Sequence, residues 1–291
     1  MPQEPPVSSS KIIADFLHLL GQHVAAPKIS ASPILTTLPI LDAARPCALL
    51  LSPHPDDECL TGVLPLRLRR EQNWQIVNLA VTLGSNLDRR AERKDELAKA
   101  CAVLDFECAL PVDDGFSNVS AATRNADPAA WRKMVVRLSE IIAQLRPQAL
   151  FMPHAGDWNA THIGVHLLGL DALANMPSDF SCAVVMTEYW QPMDDPNVMI
   201  GIGENDVATL LSALACHVGE VARNPYDRRF PAYLIDNVRR GSEILGGKGA
   251  EAMPMDFAEM YKVGLWLKGK FVPSALKRFM STNENIGALF E

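Results

Sequence analysis

The sequence lacks three features that would assign it to well-defined classes of protein. None of its six cysteines forms a Cys-x-x-Cys pair, and most lie in apolar runs, which favours buried, reduced thiols over a disulfide framework. No apolar stretch approaches the roughly 20 residues that a membrane span needs. The first ten residues contain no basic segment followed by an apolar one, so we expect no signal peptide and a soluble, cytoplasmic protein.

Basic side chains are also in the minority, with 27 Lys and Arg against 34 Asp and Glu and a formal net charge of -7. An acidic chain lacks the positive field that attracts nucleic acids or anionic membranes, which argues against a nucleic-acid partner. What the chain does have is apolar material. Its 291 residues are 48% hydrophobic, which is enough for the core of one large domain.

Strand-like and helix-like segments alternate from residue 47 to about residue 189. Short continuous apolar runs predict strands buried on both faces, and amphipathic segments between them predict helices. The predicted strands cover residues 47–52, 75–81, 107–112, 148–153 and 181–189, and the predicted helices cover residues 58–71, 89–104, 130–146 and 161–174. This alternation is typical of βαβ units. We therefore predict an α/β fold with a mostly parallel sheet and helices on both faces.

The two ends of the chain depart from this pattern. Residues 1–45 predict a Pro- and Ser-rich tail, a helix over residues 11–24 capped by Ser10, and a turn-rich link. After about residue 200 the sequence predicts three more helices, at 205–218, 230–246 and 254–262. We therefore expect an N-terminal helical extension over residues 1–45. We expect a single α/β domain over residues 46–291, with its sheet at about 46–200 and a helical C-terminal third.

A histidine and three acidic residues lie together in the turn after the first predicted strand: His54, Asp56, Asp57 and Glu58. Ligands of open α/β sheets bind beyond the carboxyl ends of the strands. His54 and Asp57 are three positions apart and can face one point, whereas Asp56 projects in another direction. Glu58 suits the first turn of a helix, where the helix dipole favours acids. Capping does not explain the histidine or the pair of aspartates, so this turn is a candidate metal site.

Three of the seven histidines follow the predicted strand at 148–153. His154, His162 and His166 lie within thirteen residues, together with Asp157 and Asn159. His162 and His166 are four positions apart on the predicted helix and therefore share a face. Such a pair alone is weak evidence for a metal, but a second His/Asp cluster at a second strand end strengthens the first. The other histidines are expected to be structural or exposed: His18, His23 and His217.

Two histidines and one carboxylate that leave positions open are a catalytic ligand set for zinc. Iron(II) accepts the same set, so the sequence predicts a divalent metal, Zn²⁺ first and Fe²⁺ or another ion second. Such a metal lowers the pKa of bound water and polarises a carbonyl oxygen. A free carboxylate beside that water can accept its proton, and Asp56 suits this role.

At these residues the sequence resembles the PIG-L/LmbE-like N-deacetylase family. The family's His-Pro-Asp-Asp-Glu motif is intact at residues 54–58, and its Asp-x-His-Pro-Asp-His motif is matched in part at residues 157–162. The resemblance covers roughly residues 45–220 and implies a Rossmann-like three-layer α/β/α fold. It also implies that His54, Asp57 and His162 bind zinc, that Asp56 is the general base, and that an N-acetyl group is removed from an amino-sugar conjugate.

The second motif departs from the family pattern at two positions. The family's histidine is replaced by Asn159, and the aspartate that follows is replaced by Thr161. An asparagine can hydrogen-bond an oxyanion, but it cannot deliver a proton at neutral pH. The proton for the leaving amine must then come from another group. The candidates are Asp56 after it has accepted the proton from water, His154 or His166.

Candidate substrate-binding residues follow from weaker similarities to the family. Arg93 lies at the start of the helix after the second strand, and Asp113 lies in an acidic turn after the third. Both could hydrogen-bond sugar hydroxyls, although a solvated helix face and an ordinary turn explain them equally well. His166, on the same helix face as His162, is the third candidate. The expected partner is a small amino-sugar conjugate, and the sequence leaves a homo-oligomer open.

Two other functions remain open at this point. The same fold also hosts a hydratase of an unsaturated dicarboxylic acid, but such a site needs cations to hold carboxylates, and Arg93 is the only evident one. A catalytically impaired metal- or sugar-binding relative is compatible with the altered second motif. A nicotinamide-dependent dehydrogenase is not compatible with the sequence. The acids after the first strand would repel a pyrophosphate, and no G-x-G-x-x-G motif occurs there.

Overall fold

The computed structural model describes residues 7–31, 33–34, 38–275 and 277–290, so the first six residues of the predicted tail lie outside the described residues. Among the described residues, nine strands form one sheet. The strands are β1 (Cys47–Ser52), β2 (Gln75–Ala80), β3 (Glu107–Ala109), β4 (Ala149–Pro153), β5 (Cys182–Thr187), β6 (Val198–Ile202), β7 (Phe257–Leu267), β8 (Lys270–Pro273) and β9 (Arg278–Met280).

Helices precede, connect and follow these strands. They are α1 (Ser9–Leu20), α2 (Asp57–Leu60), α3 (Val63–Glu71), α4 (Arg90–Leu104), α5 (Ala121–Ala126), α6 (Pro128–Leu145), α7 (Ala160–Ala174), α8 (Glu204–Leu214), α9 (Val218–Arg223) and α10 (Tyr226–Gly246). No described helix is long and apolar enough to cross a membrane.

The order in which the chain adds strands to the sheet reverses beside β1. The order is β3-β2-β1-β4-β5-β7-β6-β9, with β8 paired to β7. Strands β1 to β5 are parallel to one another, and β7 runs antiparallel to β5 and β6. The chain builds outward from β1 through β2 to β3 and then returns to β4 on the other side. A crevice forms at such a switch point, beyond the carboxyl ends of β1 and β4.

The core has two halves because successive side chains of a strand point to opposite faces. Ala48 and Leu50 of β1 pack in one buried cluster with α3, α4, α8 and α10. Leu49 and Leu51 pack in a second cluster with α6 and α7. The predicted α/β class, with three layers and a mostly parallel sheet, is confirmed. All six cysteines are buried and free, as expected.

The prediction for the C-terminal third needs a correction. Residues 254–262 were expected to be helical, but they lead into β7, and β6, β8 and β9 are also strands of this region. Met, Ala, Glu and Lys around Ala258 and Met260 favour helix as isolated residues. Ala258 and Met260 are fully buried, however, where β7 pairs with β6 and packs against α10. Burial in the sheet outweighs the local preference.

Two helix boundaries also differ from the prediction. Helix α1 ends at Leu20 and is capped by Ser8, whose hydroxyl accepts a hydrogen bond from the Lys11 amide, so Ser10 is not the cap. The single helix expected over residues 58–71 is two helices, α2 and α3, which are separated at Thr61 and Gly62. Pro65 lies in the first turn of α3, where its missing N–H has no cost.

Candidate metal centre

The loop after β1 is a tight turn held by its own side chains. The His54 amide donates to Oδ2 of Asp57 at 2.9 Å, and the Asp57 amide donates to the carbonyl of His54 at 3.3 Å. Asp56 between them has φ 111°, in the left-handed region that non-glycine residues rarely occupy. Helix α2 begins at the next residue. Among the residues of this turn, Asp56 alone has a positive φ.

A buried hydrogen-bonded pair supports the unusual conformation of Asp56. The Asp56 amide donates to Oε2 of Glu58 at 3.0 Å, and Oε1 of Glu58 lies 2.6 Å from Nε2 of His217. Glu58 and His217 are both fully buried. Cys59 lies beside them, but a 2.6 Å separation is that of a hydrogen bond rather than of two ligands of one ion. His217 thus holds Glu58, and Glu58 holds the backbone of Asp56.

The loop after β4 is arranged by Asp157 and Asn159. Oδ1 of Asp157 accepts from the Asn159 amide at 2.7 Å, and Oδ2 accepts from the Trp190 amide at 3.2 Å. Asn159 caps α7, because its Oδ1 accepts from the Thr161 amide at 2.8 Å. The capped first turn of α7 presents His162. Nδ1 of His162 lies 3.5 Å from Oδ1 of Asp157, so the carboxylate also orients the imidazole.

Three side-chain atoms from the two loops converge at the switch point. We call Nδ1 of His54, Oδ2 of Asp57 and Nε2 of His162 the donor triangle. Its sides are 3.4 Å between His54 and Asp57, 3.4 Å between Asp57 and His162, and 3.3 Å between the two histidines. The side chains of Asp57 and His162 are buried, whereas that of His54 is 19% exposed. The triangle is therefore reached from solvent on the His54 side.

The donor triangle has the dimensions of one face of a tetrahedral zinc site. Bonds of about 2.0–2.1 Å in tetrahedral geometry separate the ligand atoms by about 3.3 Å. The chemistry of the set agrees, since neutral imidazoles and a carboxylate are the donors that zinc accepts. Among the described residues these three side chains form a group able to hold a metal ion. The residues predicted to bind the metal are thus brought together.

Electrostatics within the triangle favour a charged carboxylate. Burial raises the pKa of Asp57, but His162 and His54 lower it more, and the net pKa is below its ordinary value. Asp56 shows the opposite shift. Burial, followed by the charges of Asp57, Glu58 and Glu220, raises the pKa of Asp56 well above its ordinary value. Two adjacent carboxyl groups therefore differ, one stabilised as an anion and one inclined to hold a proton.

Arg93 lies in a buried ion-pair cluster near Asp56. Its guanidinium donates to the carbonyl of Leu83 at 3.1 Å and pairs with Glu220, which also binds Arg89. Arg93 is 8% exposed, and its positive charge acts to lower the pKa of Asp56. Arg93 was predicted from its position on a helix start. Its pairing with Glu220 on α9 could not be anticipated from the sequence.

The remaining predicted residues lie in different settings. Asp113 is exposed in the turn after β3. His166 is buried one helical turn after His162, and its Nδ1 donates to the carbonyl of Pro153 at 2.8 Å. Burial lowers the pKa of His166, so the ring is held neutral. His154 is buried beside this pair of loops, with its Nε2 2.7 Å from the carbonyl of Gln191.

Sequence reasoning missed two residues at the site. Tyr189, after β5, places its ring edge against His162 with the centroids 4.5 Å apart, and its hydroxyl lies 3.3 Å from that of Thr61. His217 was expected at the C-terminal end of a helix, but it precedes α9 and contacts Glu58. No local pattern marks either residue, because their partners are 27 and 159 positions away in the chain.

One known family matches the segment that carries both motifs. Residues 49–173 match the PIG-L family, described as GlcNAc-PI de-N-acetylase. This match covers less than half of the chain. The matched segment contains both loops of the donor triangle and is shorter than the 45–220 expected from the motifs. No curated protein sequence matches the chain.

Solved structures share the fold of this chain. The 4-carboxy-2-hydroxymuconate hydratase of Pseudomonas putida aligns with a TM-score of 0.58 at 15% identity, over 75% of this chain and 95% of that one. The N,N'-diacetylchitobiose deacetylase of Pyrococcus horikoshii aligns with a TM-score of 0.55 at 12% identity, over 92% of this chain and 96% of that one. A zinc-inhibited form of a teicoplanin deacetylase aligns with a TM-score of 0.55 at 12% identity, over 79% of this chain and 99% of that one. At these identities the similarity concerns the fold.

Proposed function

We propose that this chain is a metal-dependent N-deacetylase that removes the acetyl group from an amino-sugar conjugate of the N-acetylglucosamine type. The observation that carries the proposal is the donor triangle, with the buried Asp56 next to it at the end of β1. The PIG-L match and the deacetylases among the structural neighbours support the same reaction class.

His54, Asp57 and His162 would hold the metal ion. The 3.3–3.4 Å sides of the triangle favour zinc, and Fe²⁺ is the second candidate because it binds the same donor types. When bound, zinc polarises a carbonyl oxygen and lowers the pKa of water to about 7. One structural neighbour is described as a zinc-inhibited form, so the metals are best tested one by one.

Asp56 is the proposed general base. Its carboxylate accepts a proton from the attacking water, whose oxygen bonds to the amide carbon. Asp56 then returns that proton to the nitrogen as the C–N bond breaks, which yields acetate and a free amine. Its raised pKa suits a group that must hold a proton between the two steps. The Glu58–His217 pair keeps Asp56 in position through its backbone.

Asn159 and three further residues complete the proposed site. Oδ1 of Asn159 caps α7, which leaves its amide nitrogen as the group that would donate to the oxyanion. Arg93 has five N–H donors and uses two of them on Leu83 and Glu220, so others remain for a sugar hydroxyl. Asp113 and His166 stay proposals on the substrate side.

The hydratase among the structural neighbours keeps a second reaction open. Addition of water to an unsaturated dicarboxylic acid needs cations that hold the two carboxylates. In this chain Arg93 is paired with Glu220, and the acids at 56, 57 and 58 repel a dianion. These charges favour an uncharged sugar amide over a dicarboxylate.

Acetate release is the direct test. The purified chain, loaded separately with Zn²⁺, Fe²⁺ and Co²⁺, is incubated with N-acetylglucosamine and its glycosides. We expect acetate and free amine in equal amounts with at least one metal. Asp56→Asn should lower the rate by about 10²–10⁴-fold because it removes the proton acceptor. Asp236→Asn, an exposed position on the outer part of α10, is the matched control and should keep the wild-type rate.

Three results would overturn the proposal. Equal rates for wild type and Asp56→Asn would remove Asp56 from the reaction. Loss of ultraviolet absorbance from an unsaturated dicarboxylate, with no amine released from any amide, would favour the hydratase instead. Tight sugar binding without turnover under every metal would indicate a binding protein.

A further inference from the structure

We propose that a pocket beside the donor triangle receives an apolar group of the substrate, either an acyl chain longer than acetyl or an apolar substituent on the sugar. This inference rests on the proposed function and specifies its substrate class. We call the pocket the aromatic pocket. Its aromatic wall consists of Tyr189, Trp190, Tyr226, Phe230 and Tyr233.

The aromatic pocket is built by two separate elements. Tyr189 and Trp190 follow β5, and Trp190 lies against Tyr226 with ring centroids 5.3 Å apart. Tyr226, Phe230 and Tyr233 occupy positions i, i+4 and i+7 of α10 and therefore share one face of that helix. The cavity between these elements measures about 230 Å³. A dry apolar cavity of about 150 Å³ accommodates benzene, so this one can hold a larger group.

The aromatic pocket is continuous with the metal centre. Tyr189 belongs to both, since its ring edge contacts His162 and its ring also lines the pocket. The backbone amide of Trp190 donates to Asp157, the residue that orients His162. Leu60, at the end of the α2 helix that begins with Asp57, also lines the pocket. A substrate whose amide lies at the triangle can thus extend into the pocket.

The two charged side chains that line the pocket do not oppose an apolar occupant. Glu188 lines it, but its carboxylate is buried, pairs with Arg240 and accepts from the Met193 amide. It is therefore not available to hydrogen-bond sugar hydroxyls. Arg229 also lines the pocket, but it is exposed to solvent. Aromatic side chains therefore provide most of the contact with the occupant, and they stabilise an apolar group best.

The test uses two substrate series with the metal-loaded full chain. One series lengthens the acyl group of glucosamine from acetyl to butyryl and hexanoyl. The other keeps the acetyl group and changes the glycoside from methyl to hexyl and phenyl. We expect kcat/KM to rise at least tenfold along one series and to stay flat along the other. The series that rises identifies which end of the substrate enters the pocket.

Substitutions at Trp190 link this preference to the pocket. Trp190 is 40% exposed, so its truncation should leave the fold intact, and the backbone amide that binds Asp157 remains. In Trp190→Ala the ratio of kcat/KM between the longest and shortest substrate should fall close to one, whereas Trp190→Phe should keep most of it. Ile235→Ala, at a 53% exposed position of α10 outside the pocket, should change neither the ratio nor the rate.

The outcomes of these experiments test the pocket proposal and the deacetylase proposal separately. Acetate release that is equally fast along both series, or a ratio unchanged in Trp190→Ala, would overturn the pocket proposal while the deacetylase proposal stands. If no amide is cleaved, the deacetylase proposal fails, and calorimetry with hexyl and phenyl glycosides decides the pocket. Equal affinity of wild type and Trp190→Ala for these compounds would then overturn it.

Discussion

Asp157 shows how one side chain links three parts of the site. Its carboxylate accepts from the amides of Asn159 and Trp190 and lies 3.5 Å from Nδ1 of His162. Burial raises the pKa of Asp157, but its hydrogen bonds and the charge of His162 lower it below the ordinary value. A carboxylate behind an imidazole fixes the ring orientation and increases its basicity as a ligand. In the proposed metal site, Asp157 acts on the ion through His162.

We predict that Asp157→Asn weakens metal binding without unfolding the chain. The amide keeps an oxygen for the Asn159 N–H but loses the charge that polarises His162. Affinity for Zn²⁺, measured by competition with a chromogenic chelator, should fall about 10–100-fold. Asp179→Asn, an exposed position beyond the end of α7, serves as the control and should bind like wild type. An unchanged affinity in Asp157→Asn would contradict the role given to this carboxylate.

At this scale the sequence predicts which three side chains of the donor triangle come together, but it predicts their surroundings poorly. His54 and Asp57 lie three positions apart in one turn, and His162 follows a second strand end, so their types and spacing carry the signal. Glu58 could be placed in a helix start, but its partner His217 lies 159 residues away. A contact made only by the tertiary fold leaves no local pattern to detect.

Helix α7 positions His162, and one glycine sets how closely that helix approaches its neighbour. A methyl group at Gly164 would lie 2.4 Å from the carbonyl oxygen of Val119, which belongs to the backbone and cannot rotate away. At Gly169, on the same helix, the nearest atom is Sδ of Met152 at 2.8 Å, the flexible part of a side chain. The two glycines therefore differ in what an added methyl group displaces.

We predict that Gly164→Ala lowers the free energy of unfolding by about 1–3 kcal/mol, because the backbone of α7 must move away from Val119. Gly169→Ala is the matched control, with the same gain in helix propensity and a yielding neighbour, and it should lose less. Urea unfolding of the two variants checks this, and zinc affinity reports any displacement of His162. Equal stabilities would show that the approach at Val119 is not a constraint.

At the scale of elements the sequence predicts the parallel half of the sheet and fails on the antiparallel half. The five strands from β1 to β5 are continuous apolar runs separated by amphipathic helices, which is a local and repeated signal. Strand β7 has no such signal. It carries Glu259 and Lys262 among apolar residues, and its extended form depends on pairing with β5 and β6. Strand β6 is five residues long and was not predicted.

The stability of the whole molecule should depend on pH through Glu259 of β7. Its carboxyl is fully buried, accepts from the Val63 amide at 3.1 Å and from the hydroxyl of Tyr261, and so connects the sheet to α3. Burial raises the pKa of Glu259 from 4.5 to about 8, and the two hydrogen bonds lower it only in part. At neutral pH the folded chain therefore holds a proton that the unfolded chain has released.

The difference in bound protons between the folded and unfolded chain determines whether stability rises or falls with pH. The stability contributed by the protonated carboxyl is fully present below about pH 4.5 and is lost as the pH rises to about 8, where the folded state also ionises. The free energy of unfolding should fall by about 1.4 kcal/mol per pH unit across this window from this group alone. Denaturant unfolding at several pH values between 5 and 9 measures the slope.

Glu259→Gln isolates the contribution. The amide is neutral at every pH and retains an oxygen that accepts from Val63 and Tyr261, so the variant should show a flatter pH profile and gain stability relative to wild type at pH 9. Glu251→Gln, at an exposed position, should reproduce the wild-type slope. A slope that survives in Glu259→Gln would assign the pH dependence to another group.

The donor triangle and the aromatic pocket come from different stretches of the chain. The triangle lies between residues 54 and 162, within the matched PIG-L segment, whereas the aromatic wall of the pocket is supplied by residues 189 to 233, beyond it. In the proposed reaction, the segment that cleaves the bond and the segment that selects the substituent are therefore separate parts of the chain. A chimaera that receives only the α10 segment from a deacetylase of the same fold is expected to acquire that enzyme's preference for substituents and to keep its original reaction.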